Sequence, residues 1–359
     1  MGSIKEALTF DDVLLVPRYS SILPSDTNLN INLGNNLKLK IPFLSSAMDT
    51  VTESKMAISI AKEGGLGVVH RNLSIKNQTE EIKKVKKNNL LVAAAIGTNK
   101  DDFVRAKSLI DSGADLIVID TAHGHSQKVI KILSKVKKIK TKIPICVGNI
   151  ASSEAAQKLY NEGADILKVG IGPGSICTTR MIAGIGVPQI TAVIEVKKIL
   201  KNKNIKIISD GGVKFSGDIA KGLAAGADAI MMGSIFAGTD ESPGKKFKYK
   251  NKFYKSYRGM GSIGAMSAGS SNRYFQKNYK DKSKFVPEGI EARVKYKGSV
   301  GKILYQLQGG LRSSMGYIGA KDINDIKKKA KFIKITKAGF YESMVHSVEM
   351  INDVVNYKL

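Results

Sequence analysis

The sequence predicts an α/β fold, a (β/α)8 TIM barrel with a long flap insertion after strand 8. Eight continuous apolar runs alternate with amphipathic stretches along the 359 residues. Continuously apolar runs are typical of strands buried on both faces, as in a parallel sheet that helices cover. Eight strand–helix units favour a closed barrel, and an open doubly wound sheet is the alternative.

The predicted strands are bounded by a repeated turn signal. In chain order the strands are residues 41–48, 66–70, 91–97, 116–122, 143–150, 166–172, 205–212 and 229–237. The tripeptide Gly-Ala-Asp occurs at residues 113–115, 163–165 and 226–228, each time between a helical pattern and an apolar run. Glycine at this point fits the left-handed residue that ends many helices. The tripeptide therefore marks the passage from a helix into the next strand.

Hydrophobic periodicity predicts helices between the strands, over residues 54–62, 74–87, 101–111, 126–137 and 153–161. The pattern stops after residue 237. Residues 238–300 are rich in Gly, Ser, Lys and Tyr with weak periodicity, and a helical pattern resumes at 300–311. Long loops inside a compact domain are usually functional, so we expect residues 238–300 to form a lid on a single catalytic domain of residues 1–359.

The composition is that of a globular protein, with 43% hydrophobic and 25% charged residues. Only two cysteines occur, Cys146 and Cys177, which excludes a disulfide framework and favours a reducing compartment. The first residues do not form a signal-peptide pattern, and no apolar run is long enough to span a membrane. We therefore expect a cytoplasmic protein without a membrane partner.

The formal net charge of +26 makes nucleic acid a partner to consider. The lysines are scattered along predicted helices, as in residues 81–87 and 327–331, and we expect no aromatic residues interleaved with them to stack bases. A solvated, lysine-rich surface without a nucleic-acid partner is the favoured interpretation, and a basic nucleic-acid-binding protein is the alternative. The charge also attracts anionic substrates.

The segment 170–180, GIGPGSICTTR, follows a predicted strand and predicts a reactive cysteine. Its glycines permit a tight turn, and a thiolate is a strong nucleophile that nearby positive charge favours. Cys177 is the candidate nucleophile, whereas Cys146 lies within an apolar run and is predicted to be an inert core thiol. His123 and His125 lack the ligand spacing of a zinc site.

The loops after strands 7 and 8 of such barrels commonly bind phosphate. Here they contain Gly211-Gly212 and Gly233-Ser234, which offer backbone N–H groups without obstruction. No Rossmann fingerprint for a dinucleotide is present in the sequence.

Four segments together resemble the inosine-5′-monophosphate dehydrogenase family: residues 170–180, 45–53 (SSAMDTVTE), 120–126 (DTAHGHS) and 257–262 (YRGMGS). The resemblance covers essentially the whole chain. GMP reductase, a barrel relative, shares the cysteine loop. Residues 272–275 (NRYF) and 286–291 (VPEGIE) resemble the mobile flap of the dehydrogenase, whose Arg-Tyr pair the reductase lacks. The paired CBS domains usual in the family are absent, since residues 87–90 run almost directly into the next strand.

The resemblance implies oxidation of IMP to XMP with NAD⁺ through a covalent thioimidate on Cys177, which activated water then hydrolyses. GMP reductase, which converts GMP to IMP with NADPH, is the alternative. The implied catalytic residues are Cys177, Thr179, Arg273, Tyr274 and Glu288. The base that activates water is either Arg273, whose free pKa exceeds about 12, or Glu288, and the sequence leaves both open.

The resemblance also implies three sets of ligand contacts. IMP would contact Ser46, Met48, Ser175, Asp210, Gly212, Gly233, Ser234, Tyr257, Gly259, Met260, Gly261 and Glu288. NAD would contact Asp120, Thr121, Ala122 and Gly170. A potassium ion would be held by carbonyls of Gly172, Gly174 and Cys177 and, in a homotetramer, by Glu342, Ser343 and Met344 of the partner subunit.

Overall fold

The structure is a computed structural model that describes residues 4–35, 37–139, 142–201, 203–277, 279–349 and residue 357. Eight parallel strands close into a barrel. In chain order they are β1 (Phe43–Ser45), β2 (Leu66–Val69), β3 (Ala93–Ile96), β4 (Leu116–Asp120), β5 (Ile145–Ile150), β6 (Ile166–Val169), β7 (Lys206–Asp210) and β8 (Ala229–Met232). Pairing of Met232 with Ser45 closes the ring. The predicted barrel is confirmed, and the doubly wound alternative is wrong.

Long helices follow the strands: α1 (Ser54–Lys62), α2 (Ile75–Lys86), α3 (Asp102–Asp111), α4 (Gln127–Lys137), α5 (Ser153–Asn161), α6 (Gln189–Ile199), α7 (Ser216–Ala224) and α8 (Val300–Ile318). The five predicted helices are confirmed to within a residue at each end. Serine side chains define two of the starts, because Ser74 and Ser152 accept hydrogen bonds from N–H groups of the first turn. None of the helices in the described ranges is both long and apolar enough to cross a membrane.

The Gly-Ala-Asp tripeptides end helices and also tie the strands together. Gly113 and Gly163 have φ values of 95° and 89°, the left-handed conformation predicted for them. Each aspartate accepts a hydrogen bond at 2.8 Å from a backbone N–H near the start of the preceding strand: Asp115 from Val92, Asp165 from Ile145 and Asp228 from Ile207. The repeat therefore closes the amino-terminal end of the barrel, opposite the predicted site.

The core has an inner and an outer layer. Leu44, Val68, Cys146 and Ile208 belong to the cluster inside the barrel, and a larger cluster packs between strands and helices. Cys146 is fully buried, and this burial raises the pKa of its thiol to about 12. The prediction of an unreactive core cysteine at Cys146 agrees with these surroundings.

The insertion after β8 contains regular structure that the sequence analysis did not predict. Strands β9 (Lys246–Tyr249), β10 (Lys252–Arg258) and β11 (Glu291–Lys295) form an antiparallel sheet in the order β9-β10-β11. Periodicity failed here because β9 alternates over only four residues, and because Lys252 and Lys255 of β10 lie on opposite faces, so no apolar alternation develops along β10. Residues 259–290, between β10 and β11, form the flap and carry Arg273, Tyr274 and Glu288.

The hairpin formed by β9 and β10 also shows that the expectation of no aromatic residues among the lysines was wrong. Aromatic residues do interleave with lysines, over residues 245–258, KKFKYKNKFYKSYR. The expectation was drawn from the helical lysine runs, which contain no such pattern.

Candidate active site

A cavity of about 390 Å³ opens at the carboxyl ends of the barrel strands. Such a position is where barrels of this kind place their active sites. The cavity brings together most of the residues singled out from the sequence: Ser46, Met48, Asp120, Ala122, Gly170, Gly172, Gly174, Ser175, Cys177, Thr179, Asp210, Gly212, Gly233, Ser234, Tyr257, Gly259, Met260, Arg273, Tyr274 and Glu288.

Five residues that the family resemblance implies do not line this cavity. Thr121 is buried behind the cavity wall, where its hydroxyl donates to the Gly148 carbonyl at 2.9 Å. Gly261 lies under the Tyr274 ring, since a Cβ on Gly261 would come within 2.7 Å of that ring. Glu342, Ser343 and Met344 lie at the end of the last short helix, outside the residues that line the cavity.

The cysteine loop is held by the segment that carries Glu288. Cys177 forms a β-bridge with Gly289, and the Thr178 N–H donates to the Glu288 carbonyl at 2.9 Å. This pairing joins residues far apart in sequence and brings the Glu288 side chain to Thr179, which contacts the thiol. Arg180, the cation beside the cysteine in sequence, instead donates to the Ile171 and Val187 carbonyls and clamps the loop.

The thiol, a hydroxyl and a carboxylate form a continuous hydrogen-bonded chain. Cys177 Sγ lies 3.2 Å from Thr179 Oγ1, which donates to Glu288 Oε2 at 2.7 Å. A hydroxyl can accept one proton while it donates another. The chain can therefore carry the proton of the thiol to Glu288.

The flap contributes an arginine that pairs with a barrel carboxylate. Arg273 and Asp120 form an ion pair, and their side chains are 12% and 5% exposed. The Arg273 carbonyl accepts the Ala122 N–H at 3.1 Å, so backbone as well as side chain ties the flap to β4. Burial alone would raise the pKa of Asp120, but its ion pairs with Arg273 and Lys168 outweigh burial and lower that pKa.

Lys168 is a site residue that the sequence analysis missed. Its ammonium donates to Asp120 Oδ1 and Asp210 Oδ2, at 2.9 Å each, and to Asn149 Oδ1. Burial alone would lower the pKa of Lys168, but the two carboxylates outweigh burial and raise it. A signal was present, since Lys168 is the charged residue within the otherwise apolar strand β6. A lysine in such a strand requires buried partners.

Asn149 completes this network of buried polar groups. Its amide donates to Asp210 Oδ2 at 2.9 Å and to the Gly170 carbonyl at 2.7 Å. Gly170 has a φ of 151°, and a Cβ there would lie 2.1 Å from the Asp210 carbonyl oxygen. Only glycine fits between β6 and β7 at this point.

Glycines and hydroxyls line the other end of the cavity. Gly211 and Gly212 have φ values of 89° and 82° and present the backbone after β7. Tyr257 reaches in from β10, with its hydroxyl 4.0 Å from Met48 Sδ, and burial raises the pKa of its phenol. Neutral hydroxyl and N–H donors suit the phosphate predicted for this end.

No cluster of three or more His, Cys, Asp or Glu side chains that could hold a metal ion occurs within the described ranges. His123 and His125 form an edge-to-face pair with ring centroids 6.3 Å apart.

Comparison with known proteins identifies the family. Residues 7–346 match the family model described as "IMP dehydrogenase / GMP reductase domain". The chain is 46% identical to inosine-5′-monophosphate dehydrogenase of Cryptosporidium parvum over 398 residues, covering 99% of this chain and 98% of that protein. It is 49% identical to the protein of the same name from Borreliella burgdorferi over 397 residues, covering 96% and 98%. The Aquifex aeolicus protein of that name is 38% identical over 483 residues, covering 99% and 98%. The chain therefore belongs to the IMP dehydrogenase / GMP reductase family.

Proposed function

We propose that the protein is an IMP dehydrogenase that oxidises IMP to XMP with NAD⁺ in guanine nucleotide synthesis. The observation that carries the proposal is the joining of Cys177 to Thr179 and Glu288 in one cavity with the flap pair Arg273 and Tyr274. Relatives named inosine-5′-monophosphate dehydrogenase support the same reaction. The reductase alternative rests on the family description alone, because the flap Arg-Tyr pair is a dehydrogenase feature.

The first half of the reaction makes a covalent bond to the cysteine. Cys177 Sγ adds to C2 of the purine and makes that carbon tetrahedral. The thiol proton passes to Thr179 Oγ1, which gives its own proton to Glu288. NAD⁺, when bound, accepts the hydride that leaves C2, and a thioimidate remains on Cys177.

The second half releases the product. Glu288 first releases the thiol proton to solvent. Water then adds its oxygen to C2, one of its protons goes to the ring nitrogen and the other to the base, and the C–S bond breaks with its electron pair leaving on the thiolate of Cys177. IMP, NAD⁺ and water thus become XMP, NADH and a proton.

The ion pair between Arg273 and Asp120 affects which residue can act as the base that activates water. Burial alone would lower the pKa of Arg273, but Asp120 outweighs burial and raises it, so the paired guanidinium keeps its proton. In this arrangement Glu288, through Thr179, is the available proton acceptor. Arg273 can serve only after it leaves Asp120.

The cavity surroundings support an orientation for the nucleotide. Asp210 would accept the ribose hydroxyls. The phosphate would bind the backbone of Gly212 and Gly233 with hydroxyls of Ser175, Ser234 and Tyr257. Ser46, Met48 and the backbone of residues 259–261 would contact the rest of the nucleotide.

Asp120, Ala122 and Gly170 offer the polar and small groups that a dinucleotide ribose requires at the cavity mouth. Because Arg273 holds Asp120, the flap has to withdraw before Asp120 accepts ribose hydroxyls. Thr121 would act indirectly, by shaping the loop through its bond to Gly148.

Carbonyls of Gly172, Gly174 and Cys177 are oxygen donors of the kind that a weakly hydrated cation such as K⁺ accepts. Glu342, Ser343 and Met344 of the partner subunit would complete its shell in a homotetramer. We also propose that catalysis proceeds without CBS domains, since residues 87–92 join α2 directly to β3.

Absorbance of NADH tests the proposal. Purified protein should produce NADH from IMP and NAD⁺, faster in K⁺ than in Li⁺, and Cys177→Ala should abolish turnover while IMP still binds. If the protein consumes NADPH with GMP and produces no NADH from IMP and NAD⁺, it instead catalyses the reductase reaction. Mass spectrometry of the trapped intermediate should locate the adduct on Cys177.

A further inference from the structure

A buried arginine at the edge of the active site lacks a carboxylate partner. Arg71 follows β2 at the carboxyl end of the barrel and is 8% exposed. Among the residues that the structure describes, no carboxylate oxygen lies within 4 Å of its guanidinium, and its buried Nε has no hydrogen-bond partner. A buried charge without a counter-ion is costly, so Arg71 is a candidate for binding an anionic ligand.

The two carboxylates that attract Arg71 from longer range have closer partners. Asp102 of α3 forms an ion pair with Arg105 at 3.3 Å, and Asp120 forms one with Arg273 of the flap. Burial lowers the pKa of Arg71 in spite of the attraction of both carboxylates, and the neighbouring cations Arg273 and Arg105 lower it further. An arginine in such surroundings still keeps its proton at neutral pH.

The flap gives Arg71 an uncharged partner. Arg71 Nη2 donates to Asn272 Oδ1 at 2.5 Å. The next flap residue, Arg273, pairs with Asp120 at the end of β4. Two successive flap residues therefore contact two charged groups of the barrel, one through an amide oxygen and the other through a guanidinium. An amide oxygen is a weaker acceptor for a guanidinium than an anionic oxygen.

The surroundings of Arg71 define where an anion could reach it. Gly97, directly after β3, lies against the guanidinium, because a Cβ on Gly97 would come within 2.9 Å of Arg71 Nη1. Arg71 does not line the cavity that is assigned to IMP, so the phosphate at Gly212 and Gly233 is not its partner. An anion at Arg71 would instead take the place of Asn272 of the flap.

We propose that Arg71 binds the diphosphate of the dinucleotide after the flap withdraws, so that Asn272 and the diphosphate use Arg71 in turn. This role rests on the proposed function. A ligand that replaces residues 272–273 has to offer hydrogen-bond donors to Asp120 and anionic acceptors to Arg71. In NAD⁺ the ribose hydroxyls and the adjoining diphosphate oxygens are these two kinds of group. The planar fork of guanidinium N–H donors matches phosphate oxygens.

Calorimetric titration of NAD⁺ into Cys177→Ala protein saturated with IMP tests this role without turnover. In that background Arg71→Met should raise the dissociation constant of NAD⁺ at least about tenfold, because it removes a hydrogen bond to a charged group. Arg71→Lys keeps the charge but not the fork and should lose less affinity. Lys131→Gln, which removes an exposed positive charge from α4, should change the affinity at most about twofold.

The flap partner should give an effect of the opposite sign. Asn272→Ala removes the hydrogen bond that holds the flap but leaves Arg71 in place, so NAD⁺ should bind about twofold tighter or more. If Arg71 served only to hold the flap, Arg71→Met and Asn272→Ala would both tighten NAD⁺ binding, and that result would overturn the proposal. Unchanged affinity in Asn272→Ala would show that the flap and the dinucleotide do not share Arg71.

Fragments of the dinucleotide locate the contact. ADP-ribose keeps the diphosphate, and Arg71→Met should weaken its binding by about the same factor as the binding of NAD⁺. Nicotinamide riboside has no phosphate and should bind at least as well to Arg71→Met as to protein that retains Arg71. Equal weakening of both fragments would mean that Arg71 maintains the shape of the site instead of binding the diphosphate.

Separate measurements distinguish the role of Arg71 from the proposed reaction. Wild-type protein that produces no NADH from IMP and NAD⁺ would refute the reaction, whatever the variants bind. Wild-type activity together with unchanged NAD⁺ affinity in Arg71→Met would refute the role of Arg71 alone. Thermal melting of each variant shows that it is folded, and Arg71→Lys provides the comparison if Arg71→Met does not fold.

Discussion

Arg273 of the flap and Asp120 at the end of β4 form an ion pair that shuts the flap onto the barrel. In the proposed function Asp120 also binds the dinucleotide ribose, and Arg273 is, with Glu288, one of the two candidate bases for water activation. Since one carboxylate cannot serve both partners fully, this proposal makes the flap and the dinucleotide competitors for Asp120. Under the same proposal, the flap position described here corresponds to a stage without bound dinucleotide.

Replacing Arg273 separates the two halves of the proposed reaction. Arg273→Ala removes one of the two candidate bases for hydrolysis but leaves Cys177 and Thr179 in place, so hydrolysis should slow more than hydride transfer if Arg273 is the base. Stopped-flow absorbance should show a burst of NADH before a slower steady state. Lys277→Ala, an exposed change in the same flap, should show no such change. Equal slowing of both phases in Arg273→Ala would contradict the assignment.

Lys168 should position both substrates, because it bridges the carboxylates assigned to the two riboses. Lys168→Met leaves Asp120 and Asp210 without their shared cation, and removing one partner of a buried ion pair typically costs about 3–5 kcal/mol. We expect a lower free energy of unfolding in urea and a higher KM for both IMP and NAD⁺. Lys168→Arg keeps the charge and should retain much of the binding.

The stability deficit of Lys168→Met should depend on pH. Lys168 is one of the two cations that lower the pKa of Asp120 in the folded protein, so the variant loses part of that lowering. A carboxylate with a lowered pKa contributes stability above its unfolded pKa of about 3.9 and loses this contribution as the pH falls below that value. The deficit relative to the wild type should therefore be smaller at about pH 3 than at about pH 7. A deficit that is constant over this interval would show that Lys168 acts only through packing.

Thr179 should transfer protons between Cys177 and Glu288. Thr179→Val keeps the shape of the side chain but removes the hydroxyl, and loss of general acid–base assistance typically lowers kcat by about 10²–10⁴. Thr179→Ser restores the hydroxyl and should recover most of the rate. A Val variant with wild-type kcat would exclude the hydroxyl from the proton path.

The two cysteines should differ sharply in alkylation. Cys177 is partly exposed, whereas Cys146 is buried and burial raises its thiol pKa to about 12. Because only thiolate reacts, iodoacetamide should modify Cys177 at least about a hundredfold faster than Cys146 in the folded protein. Mass spectrometry of peptides measures both rates, and urea should make both thiols reactive. Rapid native labelling of Cys146 would contradict the core assignment.

The barrel was predictable because its signals are local. Each strand is an apolar run, each helix has its own periodicity, and the Gly-Ala-Asp tripeptide needs only the backbone preference of glycine. The β9–β10–β11 sheet was not predicted, because β9 is only four residues long and lysines on both faces of β10 remove the alternation on which strand prediction depends. Its pairing also joins β10 to a strand that follows the whole flap.

The chain by itself determined which chemical groups are present: the thiol of Cys177, the flap pair Arg273 and Tyr274, and the glycine turns after β7 and β8. Only the tertiary structure decided which groups meet. Glu288 reaches Thr179 across 109 positions of sequence, and Lys168 joins Asp120 to Asp210 from three different strands. The reason is physical. A buried charge is stable only beside a partner, and the partner comes from whichever strand the closed barrel places next to it.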